Sequence, residues 1–117
     1  MTTQEMLTLA AKAMGYESRG SFEHSDCSGL YIVHPVLKDD AGAYVKWRPL
    51  TNSGDAAEMC AALGIDTVWR SGGVLCSFDD LDIDATEYWV SHNNDRSAAW
   101  RMAALRVAAE IGKGMRG

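Results

Sequence analysis

The segment Thr67-Val-Trp-Arg-Ser-Gly-Gly-Val-Leu-Cys-Ser-Phe78 has the pattern of a tight β-hairpin. Runs rich in β-branched and aromatic residues flank Ser71-Gly72-Gly73, and a glycine pair in that position is typical of a two-residue turn. These glycines lie between two strands and do not open a helix, so they lack the geometry that cradles a phosphate. The segment therefore predicts antiparallel strands and argues against a nucleotide cofactor.

The chain after the hairpin predicts one more strand and a long final helix. An acidic connection at 79–84 leads to Thr86-Glu-Tyr-Trp-Val-Ser91, which has strand composition. Asp95 can cap a helix that runs through about Gly112. Two apolar stripes run along the surface of this helix. One consists of Trp100, Ala104, Val107 and Ile111, and the other of Ala98, Met102, Leu105 and Ala109. We therefore expect wide burial of the helix, with Trp100 in the core.

Two helices are predicted before the hairpin. Thr2 and Glu5 have the spacing of a capping box, and helical periodicity then continues to a stop at Gly15. A second helix is expected over 55–63, capped within 51–54 and ended by Gly64.

Between these helices the sequence predicts two strands, one around 16–22 and one over 29–34, joined by a turn at 24–29. Residues 43–47 can form a short edge strand or an ordered loop, and we favour the loop.

The order of elements is α-β-β-α-β-β-β-α, without repeats or low-complexity segments. This order favours an α+β fold, a three-layer α/β/α sandwich with a mostly antiparallel sheet flanked by helices. The 117 residues are enough for one core, and we expect a single domain over 1–117.

Composition and charge exclude several classes of protein. The net charge of -5 works against binding to nucleic acid or anionic lipid. No apolar run reaches the length of a membrane span, and Gln4 and Glu5 stand where a signal peptide carries positive charge. The odd count of three cysteines favours reduced thiols. We predict a cytoplasmic protein without a cofactor.

The acidic segment is the densest charge cluster, but it departs from a calcium-binding loop. Asp80, Asp82 and Asp84 have the alternate spacing of the first calcium ligands, whereas Ala85 and Ser91 occupy the positions that need Gly and Glu. We therefore predict a solvated acidic connection, with Leu81 and Ile83 pointing inward.

Zinc binding and nucleophilic catalysis also lack a complete pattern. His24 and Cys27 are spaced like two zinc ligands, but no second close pair exists among His34, Cys60, Cys76 and His92. His24, Asp26, Cys27 and Ser28 share one turn, which lacks the strand-to-helix elbow of a serine nucleophile. The sequence therefore predicts no catalytic, metal-binding or cofactor-binding residue.

Candidate partner-binding residues are Trp47, Arg48, Arg96 and Arg101. Trp and Arg are enriched at protein interfaces, and loops on rigid scaffolds often carry binding residues. Trp47 and Arg48 lie in the longest irregular stretch, where Trp47 is the best candidate for exposure and a role in binding, and packing of Trp47 in the core is the alternative that its residue type favours. Arg96 and Arg101 belong to the one basic element, the last helix.

The stretch Trp47-Arg-Pro-Leu-Thr-Asn-Ser-Gly-Asp-Ala56, the following Ala-Ala-Leu-Gly-Ile65 and the closing Arg106-Val-Ala-Ala-Glu-Ile-Gly112 resemble the phage ABA-sandwich domain family. Ala13-Met-Gly-Tyr16 before a strand also fits that family, and the resemblance extends over about 6–113. It implies helices on both faces of a sheet and an origin in a bacteriophage or prophage. It assigns no catalytic or ligand-binding residue.

These observations favour a non-catalytic phage or prophage accessory protein that binds a bacterial host or phage protein, with host defence or metabolism as its target. A small enzyme or small-molecule binder with a cleft beside loop 35–55 is the first alternative, and a pocket of Trp47, Asp55 and a histidine would favour it. A minor structural phage component, which would self-assemble, is the second. Homo-oligomers remain open in each case.

Overall fold

The computed structural model describes residues 2–23, 28–33 and 44–115, which form an α+β fold with two three-stranded antiparallel sheets. The elements in chain order are α1 (Thr3–Met14), β1 (Ser18–Glu23), β2 (Ser28–Val33), β3 (Tyr44–Trp47), α2 (Ser53–Leu63), β4 (Asp66–Arg70), β5 (Gly73–Phe78), β6 (Ile83–Tyr88) and α3 (Arg96–Gly114). Short 3-10 turns occupy Asp79–Leu81 and Trp89–His92. The predicted α+β class and antiparallel pairing are confirmed, but the strands form two sheets where one was expected.

The predicted caps begin the helices. The Thr2 hydroxyl accepts a hydrogen bond from the Glu5 amide at 3.1 Å. Asn52, within the stretch predicted to cap the second helix, accepts from the Asp55 amide at 2.9 Å, and Asp95 accepts from the Ala98 amide at 3.0 Å. Each side chain satisfies an amide that has no partner inside its helix, so the sequence defines these starts locally.

The first sheet has the order β1-β2-β3, and its third strand was wrongly predicted as a loop. Trp47 pairs with Leu30 and Val45 pairs with Ile32, so alternate residues of β3 face the core beside buried residues of β2. Trp47 is only 4% exposed, and the Tyr16 ring packs edge-on against it at 5.6 Å between centroids. Of the two alternatives for Trp47, exposure in a loop and packing in the core, the structure shows the second, because the large apolar ring closes the core.

The second sheet has the order β4-β5-β6 and contains the predicted hairpin around Ser71-Gly72. Its third strand begins at Ile83, three residues before the predicted start, and ends at Tyr88. Residues 89–91, predicted as strand, belong to a 3-10 turn instead. Ile83 packs against the core as expected, but Leu81 is 55% exposed, so its predicted inward orientation is wrong.

Helix α3 lies at the centre of the packing, in contact with α1, α2, β5 and β6. Its buried residues surround most of the helix: Ala99, Ala103, Ala104, Leu105, Val107, Ala108, Ala109, Ile111 and Gly112. Trp100, predicted in the core, is only half-buried against it and donates from Nε1 to the Thr67 hydroxyl of β4 at 3.1 Å. The predicted wide burial is confirmed, and the helix anchors the second sheet. Among the described residues no helix is long and apolar enough to cross a bilayer.

Candidate functional site

The end of the second sheet that carries the β4–β5 turn is built from two chain segments. The Trp89 amide donates to the Gly72 carbonyl at 3.0 Å, which joins the 3-10 turn after β6 to the hairpin turn. Asn93 and Asn94 follow with positive φ angles of 54° and 61°, a conformation that asparagine tolerates better than most residues. The chain thereby reverses into α3 directly behind the hairpin.

Large apolar side chains are concentrated at this end and are open to solvent. Trp69 is 56% exposed, Tyr88 58% and Val90 79%. Trp69 and Trp89 face each other with ring centroids 5.9 Å apart, and the Arg96 guanidinium lies 5.6 Å from the Trp89 centroid. We call this end of the sheet the aromatic tip, defined as Trp69, Tyr88, Trp89, Val90 and Arg96. The register places Tyr88 on one face of the sheet, through its pairing with Gly73, and Trp69 on the other.

A half-buried ionic network holds the aromatic tip in place. The Glu87 carboxylate contacts His92 Nε2 at 2.8 Å through one oxygen and the Arg106 guanidinium through the other. Arg106 also donates to the Thr86 carbonyl at 3.2 Å. Because the network joins β6, the 3-10 turn and α3, it fixes the backbone that presents Trp89 and Val90.

The structure separates the four predicted partner-binding residues. Trp47 is in the core, whereas the Arg48 amide donates to the Asp55 carboxylate at 2.9 Å at the start of α2. Arg101 donates to the Leu50 carbonyl and to the Ser53 hydroxyl, both at 2.8 Å, and so connects α3 to the turn before α2. Arg96 belongs to the aromatic tip. The predicted binding role of these arginines stays a prediction.

The cysteines within the described residues are buried thiols. Burial, with a smaller effect from Cys76, raises the pKa of Cys60 to about 12. Burial also raises the pKa of Cys76, against the opposing effect of its contact with the Thr67 hydroxyl at 3.7 Å. Both groups are therefore protonated near neutral pH, which is unsuited to nucleophilic or metal-ligand chemistry.

In the described ranges of the chain, no group of three or more His, Cys, Asp or Glu side chains could hold a metal ion. The zinc and nucleophile predictions that involve His24, Asp26, Cys27 and His34 lie outside the described residues.

A cleft of about 640 Å³ lies on another part of the molecule. Its lining residues are Met6, Asp82, Ile83, Asp84, Arg106 and Glu110. None of them belongs to 35–55, where the small-molecule alternative had placed its cleft. Three carboxylates surround one guanidinium that is already paired with Glu87, so the chemistry of this cleft favours a cationic ligand.

Sequence reasoning missed the aromatic tip, although the sequence contains a signal for it. Successive residues of a strand face opposite sides, so Val68 and Trp69 cannot both enter one core. Trp89 and Val90 are adjacent apolar residues in the same way. Pairs of this kind next to a turn indicate that one large apolar side chain is exposed.

Comparison with protein-family models, curated proteins and solved structures found no match for this chain.

Proposed function

We propose that this protein is a phage or prophage accessory protein of the bacterial cytoplasm that acts as a non-catalytic protein-binding domain. Its partner is a bacterial host protein or a phage protein, and its contact surface is the aromatic tip. The phage origin is supported by the resemblance of residues 47–56 and 106–112 to the ABA-sandwich family.

The observation that carries the binding role is the exposure of Trp69, Tyr88 and Val90 at one end of the fold. Exposed apolar residues in a cluster indicate an interaction site, whereas single exposed ones are common on any protein. Aromatic side chains and arginine are also the residues that dominate binding energy at protein interfaces. The hydrogen bond from Trp89 to Gly72 preorganises the surface, which lowers the entropic cost of binding.

The chemistry of the surface specifies the kind of partner. Trp69 and Val90 offer apolar contact area, and Arg96 adds a positive charge at the border of that area. A complementary partner surface has an apolar pocket or ridge with a carboxylate beside it.

The test is affinity capture from bacterial lysate, before and after phage infection, with mass-spectrometric identification of bound proteins. We compare the wild type with a Trp69→Ala/Val90→Ser variant, and then measure the affinity of the purified partner by calorimetry. The control is Leu81→Ser, because Leu81 is a similarly exposed apolar residue, at 55%, outside the aromatic tip.

We expect the tip variant to lose at least about tenfold in affinity, since each truncated hot-spot residue costs more than about 1 kcal/mol. The control should bind as the wild type does. A partner that binds both variants equally contradicts the assignment of the surface, and the absence of any partner at micromolar concentration contradicts the function.

A second candidate function, small-molecule binding, is favoured by the cleft beside Arg106. Glu87 and the Thr86 carbonyl hold the guanidinium, and Asp82, Asp84 and Glu110 make the surroundings acidic. A panel of small amines screened by thermal shift tests it. An amine that stabilises the wild type but not a Glu110→Gln variant supports this function, and a panel without effect contradicts it.

A further inference from the structure

Strand β4 is an edge of the second sheet whose outer side is open. Its partner in the sheet is β5, and no strand in the described part of the chain pairs with its other side. Asp66, Val68, Trp69 and Arg70 are all exposed, and only Thr67 is half-buried. Such an edge presents unpaired backbone amides and carbonyls and can pair with another strand.

The hairpin turn determines which backbone groups face outward. Arg70 and Gly73 flank the two-residue turn, so they form a hydrogen-bonded pair, and such pairs recur at every second residue. Val68 and Asp66 therefore also bond to β5. The amides and carbonyls of Thr67 and Trp69 point to the open edge.

The side chains of Asp66, Val68 and Arg70 share the face of the sheet that points away from α3. Thr67 lies on the opposite face, where its hydroxyl accepts from Trp100 of α3. Val68 is 45% exposed. Within the described ranges, no ion pair or side-chain hydrogen bond involves Asp66 or Arg70.

We propose that β4 pairs antiparallel with β4 of a second copy of this chain, around a two-fold axis at Val68. Thr67 then lies opposite the partner's Trp69, and both residues have outward backbone groups, so the two symmetric pairs exchange four hydrogen bonds. Val68 contacts its own symmetry mate. Asp66 lies opposite the partner's Arg70, and the two-fold axis creates this pair twice.

The charges of Asp66 and Arg70 favour the two-fold axis at Val68 over an axis one residue away on either side. An axis at Thr67 places Val68 opposite the partner's Asp66, and an axis at Trp69 places Val68 opposite the partner's Arg70. Both arrangements put a charged side chain against an apolar one and leave the other charge unpaired. Of these three axes, only the one at Val68 pairs outward amides with outward carbonyls, an apolar side chain with an apolar one, and opposite charges with each other.

This dimer does not depend on the proposed function, because it rests on Asp66, Val68, Arg70 and the backbone of β4. It joins the two second sheets into one continuous sheet of six strands. The contact is a short strand pair, so we expect a weak dimer.

The test uses charge reversal and sedimentation velocity. The wild type is measured from about 1 μM to about 1 mM, which brackets the Kd of weak contacts. Arg70→Glu and Asp66→Arg each place like charges opposite each other twice, so each should weaken association by about tenfold or more. Asp80→Arg is the control, because Asp80 is exposed and lies outside β4.

The two single variants complement each other. In their mixture Asp66 of one chain faces the partner's Arg70, and Arg at 66 faces Glu at 70, so a heterodimer should form and be visible by native mass spectrometry. The double variant Asp66→Arg/Arg70→Glu should dimerise again by itself.

A wild type that is monomeric over the whole range overturns the proposal. Single variants that associate as tightly as the wild type overturn the interface. Single variants that are monomeric, with no recovery in the mixture or in the double variant, overturn the register. Recovery in both supports the proposal, and it also shows that the single variants are folded.

Discussion

Gly112 of α3 packs directly against the backbone of Leu9 in α1, and a Cβ atom at position 112 would overlap the Leu9 carbonyl oxygen. The two helices approach this closely because glycine has no side chain. The contact is continued by Lys12, whose ammonium group donates to the Met115 carbonyl at 3.0 Å. The seam between α1 and α3 therefore depends on one residue without a Cβ.

Gly112→Ala should destabilise the fold by about 1 to 3 kcal/mol or more, because the obstructing atoms belong to the backbone and the helices have to separate. Denaturant unfolding measures the change. The control is Gly114→Ala at the end of the same helix, where a Cβ meets nothing within 4 Å. That variant should be neutral or slightly more stable, since alanine favours the helix. Equal stability of both variants would contradict the close contact.

Trp47→Ala should lower the free energy of unfolding by about 3 to 5 kcal/mol, because a buried indole leaves a cavity and Tyr16 loses its edge-on contact. Trp69→Ala is the matched comparison, and it should cost less than about 1.5 kcal/mol since the side chain is 56% exposed. Thermal and denaturant midpoints of the two variants distinguish these outcomes. A larger cost at Trp69 would show that the two roles are reversed.

Glu87→Ala should destabilise by about 1 to 3 kcal/mol, because it removes the acceptor shared by His92 and Arg106 at a side chain that is only 17% exposed. The change should also alter the near-ultraviolet circular dichroism of Trp89, whose backbone the network holds. Glu110→Ala, an exposed change on α3, should stay within about 0.5 kcal/mol of the wild type. An unchanged midpoint for Glu87→Ala would mean that the network contributes nothing to stability.

Alkaline pH should destabilise the fold through its buried thiols. Burial raises the pKa of Cys60 from 9.0 to about 12 and raises that of Cys76 as well. Between about pH 9 and about pH 12, the unfolded chain releases thiol protons that the folded chain keeps. The contribution of these thiols to stability is therefore fully present below about pH 9, and it is lost as the pH rises toward 12.

The measurement compares the midpoint of guanidinium-induced unfolding at about pH 8 with that at about pH 10. Both are measured in a Cys27→Ser background, so that only Cys60 and Cys76 contribute thiols. We expect a lower midpoint at the higher pH and a smaller drop when Cys60→Ala is added. Both thiols should react slowly with an aromatic disulfide until the chain unfolds. Rapid labelling of the folded protein would contradict their burial.

Local signals predicted the helices and the hairpin, because each depends on residues close together in the chain. Thr2, Asn52 and Asp95 cap the amide of a residue three positions later, and Ser71-Gly72 lies in the turn that the glycine pair predicts. The strand at 44–47 was not predicted, because four residues are too few to show a clear alternation of apolar and polar side chains. Its identity depends on Leu30 and Ile32 of β2, which no local pattern connects to it.

The sequence predicted which residue types form the candidate site, but it did not predict where in the chain most of them lie. The interface preference of Trp and Arg pointed to Trp47 and Arg96, and only Arg96 lies at the aromatic tip. Which tryptophan is buried depends on how the strands divide between two sheets, and the division follows from the packing around α3. Sequence periodicity alone contains no information on that division.

The seam between α1 and α3 has a consequence for synthesis on the ribosome. Lys12 and Met115, which meet across it, are 103 residues apart. At an elongation rate of about 5 to 20 residues per second, the first helix emerges about 5 to 20 s before the helix that covers it. During that interval the nascent chain exposes Leu7, Ala10 and Ala11 to the surrounding solution. Completion of the core is therefore a late event, and general chaperones have a defined window in which to protect the growing polypeptide.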